Sequence, residues 1–131
     1  QDVFVEVFNR LDSFRYESTI GAWIKRITIN KCINALRKKR IDLVYLEEKE
    51  PAAISEDDDP VKGLTVEQVK AAMEVLPVGS RTIFSLYLLE GYDHSEIAGI
   101  LDISESTSKT QYMRAKVRVK NELLKQNELF D

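Results

Sequence analysis

The chain has 131 residues and a formal net charge of −3, with 44% apolar and 31% charged residues. These values are ordinary for a globular protein of one or two small domains. No apolar run reaches the roughly 20 residues of a membrane span. The single cysteine, Cys32, excludes an internal disulfide and a cysteine-based zinc site, and the single histidine, His94, adds no metal site. We therefore expect a cytoplasmic protein without metal or other cofactor, with Cys32 buried, and the first residue, Gln1, predicts a missing upstream stretch.

Basic and acidic residues are segregated along the chain, which the net charge conceals. Residues 19–41 include seven basic side chains and no acidic one, and residues 42–60 include eight acidic side chains and one lysine. Residues 104–125 include six basic side chains against Glu105 and Glu122. Two basic segments on either side of an acidic one are compatible with nucleic-acid binding despite the negative total.

Two helices are predicted in the first 41 residues because apolar side chains recur there at helical spacing. The first spans residues 2–11, and its apolar face consists of Val3, Phe4, Val7, Phe8 and Leu11. Its other face carries Asp2, Glu6, Asn9 and Arg10. The second spans residues 18–40, begins at Ser18 or Thr19 as a cap, and carries a broad apolar stripe. Two such helices do not bury a stable core unaided, so residues 1–41 are predicted to be a partial domain.

Residues 42–63 are predicted to form an acidic flexible linker. Prolines, Gly63 and the acidic run 56–59 disfavour packed structure there, although the apolar residues within 41–46 are candidates for local docking. Residues 64–131 are predicted to form a second domain of four helices, with a stop at Pro77, a Ser80 cap on the next helix and an end at Gly91. The predicted fold class is all-α, with two small helical domains joined by the linker.

A helix-turn-helix is predicted over residues 92–119, where a short helix, a tight turn and a second helix follow one another. Asp102 stands in the turn, at a position that needs tolerance of positive φ. The start of the second helix enters the DNA major groove in this motif, where Arg suits guanine and Gln suits adenine. The candidate DNA contacts are Ser106, Thr107, Ser108, Lys109, Thr110, Gln111, Met113 and Arg114, and all of them except Thr107 are explicitly predicted to lie outward. Taken alone, a basic amphipathic helix is also compatible with a merely solvated face.

A loop with two aromatic residues, Phe14 and Tyr16, precedes the basic second helix. Aromatic rings among basic side chains suit single-stranded nucleic acid, because bases stack on the rings. Asn30, within an apolar helix, fits either the reading of a flipped base or a helix-packing hydrogen bond. Trp23 fits a core position better than a stacking position.

These segments together resemble a sigma factor of the extracytoplasmic-function (ECF) type, a compact member of the sigma-seventy family. The resemblance rests on residues 2–8, on Ala22-Trp23-Ile24-Lys25-Arg26-Ile27 with the basic run 37–40, and on Leu76-Pro77, Glu96-Ile97-Ala98 and residues 107–115. It implies a partial region two in residues 1–41 and a region four in residues 64–131. Ser108 stands where the family often has an apolar residue, and Gln111 where it often has a cation.

The resemblance also implies partners and residue roles. The partners are the clamp and flap of RNA polymerase core, promoter DNA and an anti-sigma factor, with no small-molecule substrate and no membrane insertion. The resemblance assigns reading of the −35 element to the helix-turn-helix candidates. It assigns contact with polymerase core to Asp2, Glu6, Asn9 and Arg10. It assigns reading of the −10 element to Phe14, Tyr16, Ser18, Arg26, Asn30, Lys31 and Arg37.

Two other functions are compatible with parts of the sequence. A dimeric helix-turn-helix regulator of duplex operator DNA accounts for residues 92–126 but not for the basic helix and aromatic loop. An adaptor that uses its amphipathic helices only for protein contacts would bind without DNA dependence. Catalytic activity is not expected, since no carboxylate pair, activated nucleophile, phosphate-binding glycine loop or metal cluster stands out.

Overall fold

The computed structural model describes residues 1–38, 44–47 and 63–130, with side chains up to residue 126. All regular structure in this part of the chain is helical, which confirms the all-α prediction. The helices are α1 (Asp2–Arg10), α2 (Ile20–Lys38), α3 (Val66–Met73), α4 (Val78–Leu88), α5 (His94–Leu101) and α6 (Glu105–Phe130), and a 3-10 turn covers Leu11–Ser13. Contacts divide the chain into two compact units, residues 1–42 and 43–131.

In the first unit, α1 packs against α2, and the buried side chains are Ile27 and Ile33 of α2. The hydroxyl of Thr19 accepts a hydrogen bond from the Ala22 amide at 3.1 Å, which caps the start of α2. Helix α1 contributes no buried residue. The prediction that Cys32 is buried is wrong, because its position on α2 is exposed.

Only part of the apolar face predicted for α1 is covered in the structure. Val3 and Val7 are half-buried, whereas Phe4 and Phe8 are 67% and 76% exposed. The half-buried Glu6 lies instead on the side of α2, where its carboxylate is 3.4 Å from the Nζ atom of Lys31. The first unit therefore presents large apolar side chains at its surface.

In the second unit, α6 packs against α3, α4 and α5. Ile83, Phe84, Ile97, Ala115 and Val119 are fully buried at the centre of this core. Helix α3 begins with a reciprocal capping box between Thr65 and Gln68. The prediction that Ser80 caps α4 is wrong, because α4 begins at Val78 and Ser80 is its third residue and is fully buried.

Residues 44–47, which fall within the predicted linker, pack onto the second unit. The carbonyl of Val44 accepts a hydrogen bond from the Gly79 amide at 2.8 Å. This bond satisfies one of the free amides at the start of α4, where Pro77 offers no side-chain cap. Leu46 is 6% exposed. The local docking expected for the apolar residues within 41–46 is therefore seen at Val44 and Leu46, and the acidic run 56–59 lies outside the described residues.

Candidate nucleic-acid interface

The helix-turn-helix is held at both ends of its first helix by local hydrogen bonds. At the start of α5, the Asp93 carboxylate accepts from the Glu96 amide at 2.8 Å, and the Glu96 carboxylate accepts from the Asp93 amide at 3.2 Å. At its end, Asp102 takes a left-handed conformation with φ 56° and ψ 51°. The Ile103 amide then donates to the Ala98 carbonyl at 3.1 Å. Positive φ at Asp102 is thus the feature that turns the chain from α5 into α6.

The start of α6 is capped by Ser104. Its hydroxyl accepts a hydrogen bond from the Thr107 amide at 3.0 Å and lies 2.7 Å from the Thr107 hydroxyl. Ser106, Thr107 and Lys109 are exposed on this first turn. The Nζ atom of Lys109 lies 3.5 Å from a carboxylate oxygen of Glu105, and both side chains are more than half exposed. Exposed hydroxyls and a cation at a helix N-terminus form a surface suited to phosphate oxygens.

Thr110, Met113 and Arg114 continue this surface along α6, and all three are half-buried. The Nε atom of Arg114 is buried and has no hydrogen-bond partner among the residues that the structure describes. The guanidinium of Arg114 therefore retains unused donor capacity at the margin of the helix-turn-helix.

Two of the predicted DNA contacts, Ser108 and Gln111, face the core instead of the solvent. Ser108 is fully buried and Gln111 is 6% exposed, so the prediction that they lie outward is wrong. The side-chain amide of Gln111 donates to the Leu46 carbonyl at 2.9 Å and accepts from the Leu46 amide at 3.0 Å. The hydroxyl of Ser80 donates to the same Gln111 oxygen at 2.9 Å. Gln111 thus binds the backbone of Leu46 on both its amide and its carbonyl.

The Ser108 hydroxyl is used inside the unit by His94. Its Oγ atom lies 2.8 Å from the Nδ1 atom of His94, so the bond joins α5 to α6. The imidazole stacks on the Tyr87 ring with a centroid distance of 4.4 Å and an interplanar angle of 13°. Burial, with a smaller contribution from Lys109, lowers the pKa of His94 below its ordinary value of 6.5. His94 on α5 is thus in contact with both Tyr87 of α4 and Ser108 of α6.

The first unit brings its aromatic residues together in the loop before α2. The Phe14 ring centroid lies 4.7 Å from that of Tyr16 and 5.1 Å from that of Trp23. Phe14 and Trp23 are half-buried, whereas Tyr16 is 84% exposed and has a φ of 58°. A bulky residue rarely adopts a positive φ. The Tyr16 ring is therefore exposed to solvent and contacts Phe14, which in turn contacts Trp23.

The remaining −10 candidates are distributed along this unit. Ser18, Asn30 and Arg37 are exposed, and Arg26 is half-buried. Exposure of Asn30 argues against the packing role that its apolar neighbours in the sequence favour. The Nζ atom of Lys31 is paired with Glu6, and Glu6 also lies 3.1 Å from the guanidinium of Arg10.

Three of the four predicted core-binding residues share one groove on the first unit. Asp2, Glu6 and Asn9 line it together with Val5 and Lys31. The groove is thus lined both by residues of the polar face of α1 and by Lys31 of α2, which is a −10 candidate. Arg10 is exposed beside it.

Within residues 1–38, 44–47 and 63–130, no group of three or more His, Cys, Asp or Glu side chains is placed to hold a metal ion. None of the described helices is long and apolar enough to cross a membrane.

Family comparisons match the two units separately and in order. The model described as Sigma-70 region 2 matches residues 1–41, and the model described as Sigma-70, region 4 matches residues 66–119. The chain belongs to the sigma-70 family. The helix-turn-helix lies within the region-four match, and the aromatic loop with α2 lies within the region-two match.

Relatives of this sigma-70 chain are ECF factors. It is 30% identical to the ECF RNA polymerase sigma factor SigM of Mycobacterium tuberculosis over 91% of this chain and 59% of the relative. It is 27% identical to the ECF RNA polymerase sigma-E factor of Escherichia coli over 94% of this chain and 71% of the relative. The chain therefore spans about 59% of the length of SigM. These relatives place it in the ECF group and confirm the family prediction.

A solved structure gives a third comparison for this ECF chain. The sigma factor RpoE of Bartonella quintana, crystallised in complex with the anti-sigma factor NepR, is 25% identical with a TM-score of 0.59. The match covers 95% of this chain and 78% of RpoE.

The prediction from sequence missed the internal hydrogen bonds that Ser80, Gln111 and His94 form. The signal that could have indicated them is that Ser108 and Gln111 depart from the residues usual in the family.

Proposed function

We propose that the chain binds RNA polymerase core and directs it to promoters by reading the −10 and −35 DNA elements. The observation that carries the proposal is the presence of two chemically different candidate nucleic-acid surfaces in two units, matched in order to sigma regions two and four. One surface has the geometry for duplex DNA and the other has exposed aromatic and basic groups. The proposed role is non-enzymatic and belongs to the cytoplasm, where polymerase and chromosome are found.

The proposed −35 surface is the first turns of α6. Capping by Ser104 orients the helix N-terminus, and Ser106, Thr107 and Lys109 are exposed there. Hydroxyl and ammonium groups of this kind bind phosphates, which position a recognition helix in the groove. Met113 and Arg114, half-buried further along α6, are the proposed contacts to base edges. Ser108 and Gln111 are left out of this surface because they are buried.

The proposed −10 surface is the aromatic loop with the exposed side of α2. A base stacked on an aromatic ring contributes about 1–3 kcal/mol regardless of its identity. Tyr16, 84% exposed beside Phe14, is the proposed stacking platform. Asn30 offers both a donor and an acceptor for an unpaired base, and Ser18, Arg26, Lys31 and Arg37 supply the polar and basic surroundings.

The proposed core-binding surface is the polar side of α1. Asp2, Glu6 and Asn9 line one groove with Lys31, and Arg10 is adjacent. An anti-sigma factor is a further proposed partner, supported by the complex of the RpoE relative with NepR.

A dimeric helix-turn-helix regulator is not favoured, because the region-two match covers a unit that such a regulator does not need. The deciding experiment is run-off transcription with bacterial core polymerase on a library of promoter sequences, with duplex binding by the chain alone measured in parallel. Selective initiation that depends on both elements supports the proposal. No selective initiation, together with specific duplex binding by the chain alone, would establish the regulator instead.

A further inference from the structure

Residues 44–47 occupy a cleft where α4 meets α6, and the cleft forms hydrogen bonds to their backbone at Val44 and Leu46. The Gly79 amide donates to the Val44 carbonyl at 2.8 Å. The Leu46 amide donates to the Gln111 oxygen at 3.0 Å and to the Ser80 hydroxyl at 2.9 Å, and the Leu46 carbonyl accepts from Gln111 at 2.9 Å. A glutamine amide that pairs with both polar groups of one residue imitates a neighbouring β-strand. Hydrogen bonds to the backbone of an extended segment are one of the ways in which proteins bind peptides.

The floor of the cleft requires a glycine. A Cβ atom at Gly79 would lie 2.7 Å from the Val44 carbonyl oxygen and 2.7 Å from the Cε1 atom of Tyr45. Because the first of these atoms is backbone, the contact is not relieved by a side-chain rotation. The side chain of Leu46, 6% exposed, supplies the apolar anchor. The cleft is therefore shaped to the segment that fills it.

We propose that Gly79, Ser80 and Gln111 form a binding site for an extended peptide, that residues 44–47 are its resident ligand, and that this ligand leaves the cleft when the chain engages a promoter. The first two parts rest on the contacts above. The third part rests on the proposed function as well.

Chain length is the argument for release. Five residues, 39–43, separate Lys38 at the end of α2 from Val44, whereas 27 residues separate Lys38 from Val66 at the start of α3. At roughly 3.5 Å per residue, the connection reaches about 20 Å with the cleft filled and about 95 Å with the cleft empty. These limits hold for any arrangement of the two units.

The promoter elements are further apart than the short connection allows. Elements centred near −35 and −10 are separated by about 25 base pairs, or about 85 Å of duplex. The cleft residue Gln111 directly follows Thr110 of the −35 candidates, and Lys38 directly follows Arg37 of the −10 candidates, so the connection joins the two surfaces near their contact residues. Even with the whole length of α2 added, about 28 Å, the short connection does not reach 85 Å. Simultaneous reading of both elements therefore requires the longer connection.

Hydrogen exchange at the Leu46 amide tests occupancy of the cleft in the free 131-residue chain. Gly79→Ala should expel the segment and speed exchange of this amide by about tenfold or more, since two hydrogen bonds to it are lost. Gly99→Ala is the matched control, because it is the same change within a helix and its new Cβ has no neighbour within 4 Å. Exchange at Leu46 should be unchanged in that control.

A second variant protects the test against misfolding of the first. Leu46→Ser removes the anchor without altering α4 or α6 and should also speed exchange of the residue-46 amide, while the Ile97 amide in the core stays protected. Unchanged exchange at residue 46 in both variants would overturn the peptide site.

Release is tested by repeating the exchange measurement on the chain bound to core polymerase and promoter DNA. Loss of protection at Leu46 in that complex supports release, and retained protection overturns it. If no promoter complex forms, the proposed function is wrong, and the proposed release is wrong with it. The measurements on the free chain still decide whether the cleft binds the segment.

Discussion

The Nδ1 atom of His94 on α5 lies 2.8 Å from the Oγ atom of Ser108 on α6, and this hydrogen bond joins the two helices of the helix-turn-helix. Ser108 has no solvent exposure, and the imidazole is stacked on Tyr87. A charged imidazolium has two donors and no acceptor, and its burial is unfavourable. Protonation of His94 would therefore place an unfavourable charge at the junction of α5 and α6.

Acidification from about pH 7.5 to about pH 5.5 is expected to destabilise the second unit. Burial lowers the pKa of His94 below 6.5, and the positive charge of Lys109 lowers it further. The negative charges of Glu105 and Asp93 raise it by less. The unfolded chain therefore binds the proton at higher pH than the folded chain. The stabilising contribution is complete above about pH 6.5 and is lost as the pH falls from there through the lower folded-state pKa.

Urea unfolding across this pH range measures the effect. Because His94 is the only histidine, His94→Gln should remove the dependence between about pH 5.5 and 7.5. An equal loss of stability on acidification in the variant and in the wild type would show that other groups are responsible.

The helix-turn-helix could be predicted from the sequence because its determinants are local. The turn at Asp102 and the inward positions of Ile97, Tyr112 and Val119 follow from spacing alone, and the structure places them so. Gln111 could not be assigned in this way. Its partner Leu46 is 65 residues away in the sequence, and a polar side chain near a helix start is by default assigned to solvent.

The exposed Phe4 and Phe8 illustrate the same limit for the first unit. Helical spacing groups them with Val3 and Val7, but the spacing does not say which part of a wide apolar face the available partner helix covers. Packing of α1 on α2 is decided by contacts between distant residues, including the Glu6–Lys31 ion pair.

Asp102→Gly should stabilise the second unit. Residue 102 has a φ of 56°, and glycine adopts this conformation without the steric cost that a Cβ imposes. We expect a gain of about 0.5–1 kcal/mol in the free energy of unfolding, since Asp tolerates the conformation better than most residues. Asp102→Val should instead cost about 1–2 kcal/mol. Chemical denaturation measures both, and a loss of stability in Asp102→Gly would show that the aspartate side chain itself stabilises the turn.

Tyr16→Gly should change stability and −10 binding in opposite directions. The ring is 84% exposed and the φ of 58° is unfavourable for a bulky residue, so removal of the side chain should leave folding stability equal or higher. Loss of a stacking ring should weaken binding to a single-stranded −10 oligonucleotide, in complex with core polymerase, by about 1–3 kcal/mol. Tyr16→Phe keeps the ring and should bind normally. Normal binding by Tyr16→Gly would remove Tyr16 from the −10 surface.

Lys109→Ala should weaken −35 duplex binding equally for all sequences, because its ammonium group is proposed to contact phosphate. The slope of log affinity against log salt concentration should fall in magnitude by about 0.9, the value for one phosphate contact. Its ion pair with Glu105 is solvent-exposed, so the stability cost should be under about 0.5 kcal/mol. Lys125→Ala, the same change on α6 sixteen residues away, should leave the salt slope unchanged. Equal slopes in the two variants would contradict the assignment.

Asn30→Ala should impair promoter opening without loss of stability. The side chain is exposed on α2, and alanine has the higher helix propensity, so the free energy of unfolding should stay equal or rise by about 0.5 kcal/mol. Asn34→Ala is the matched control, since Asn34 is exposed one turn further along the same helix. Open-complex formation on promoters with substituted −10 bases, measured at saturating core polymerase, should lose selectivity in Asn30→Ala alone. A destabilised Asn30→Ala chain with intact selectivity would instead establish that Asn30 serves packing.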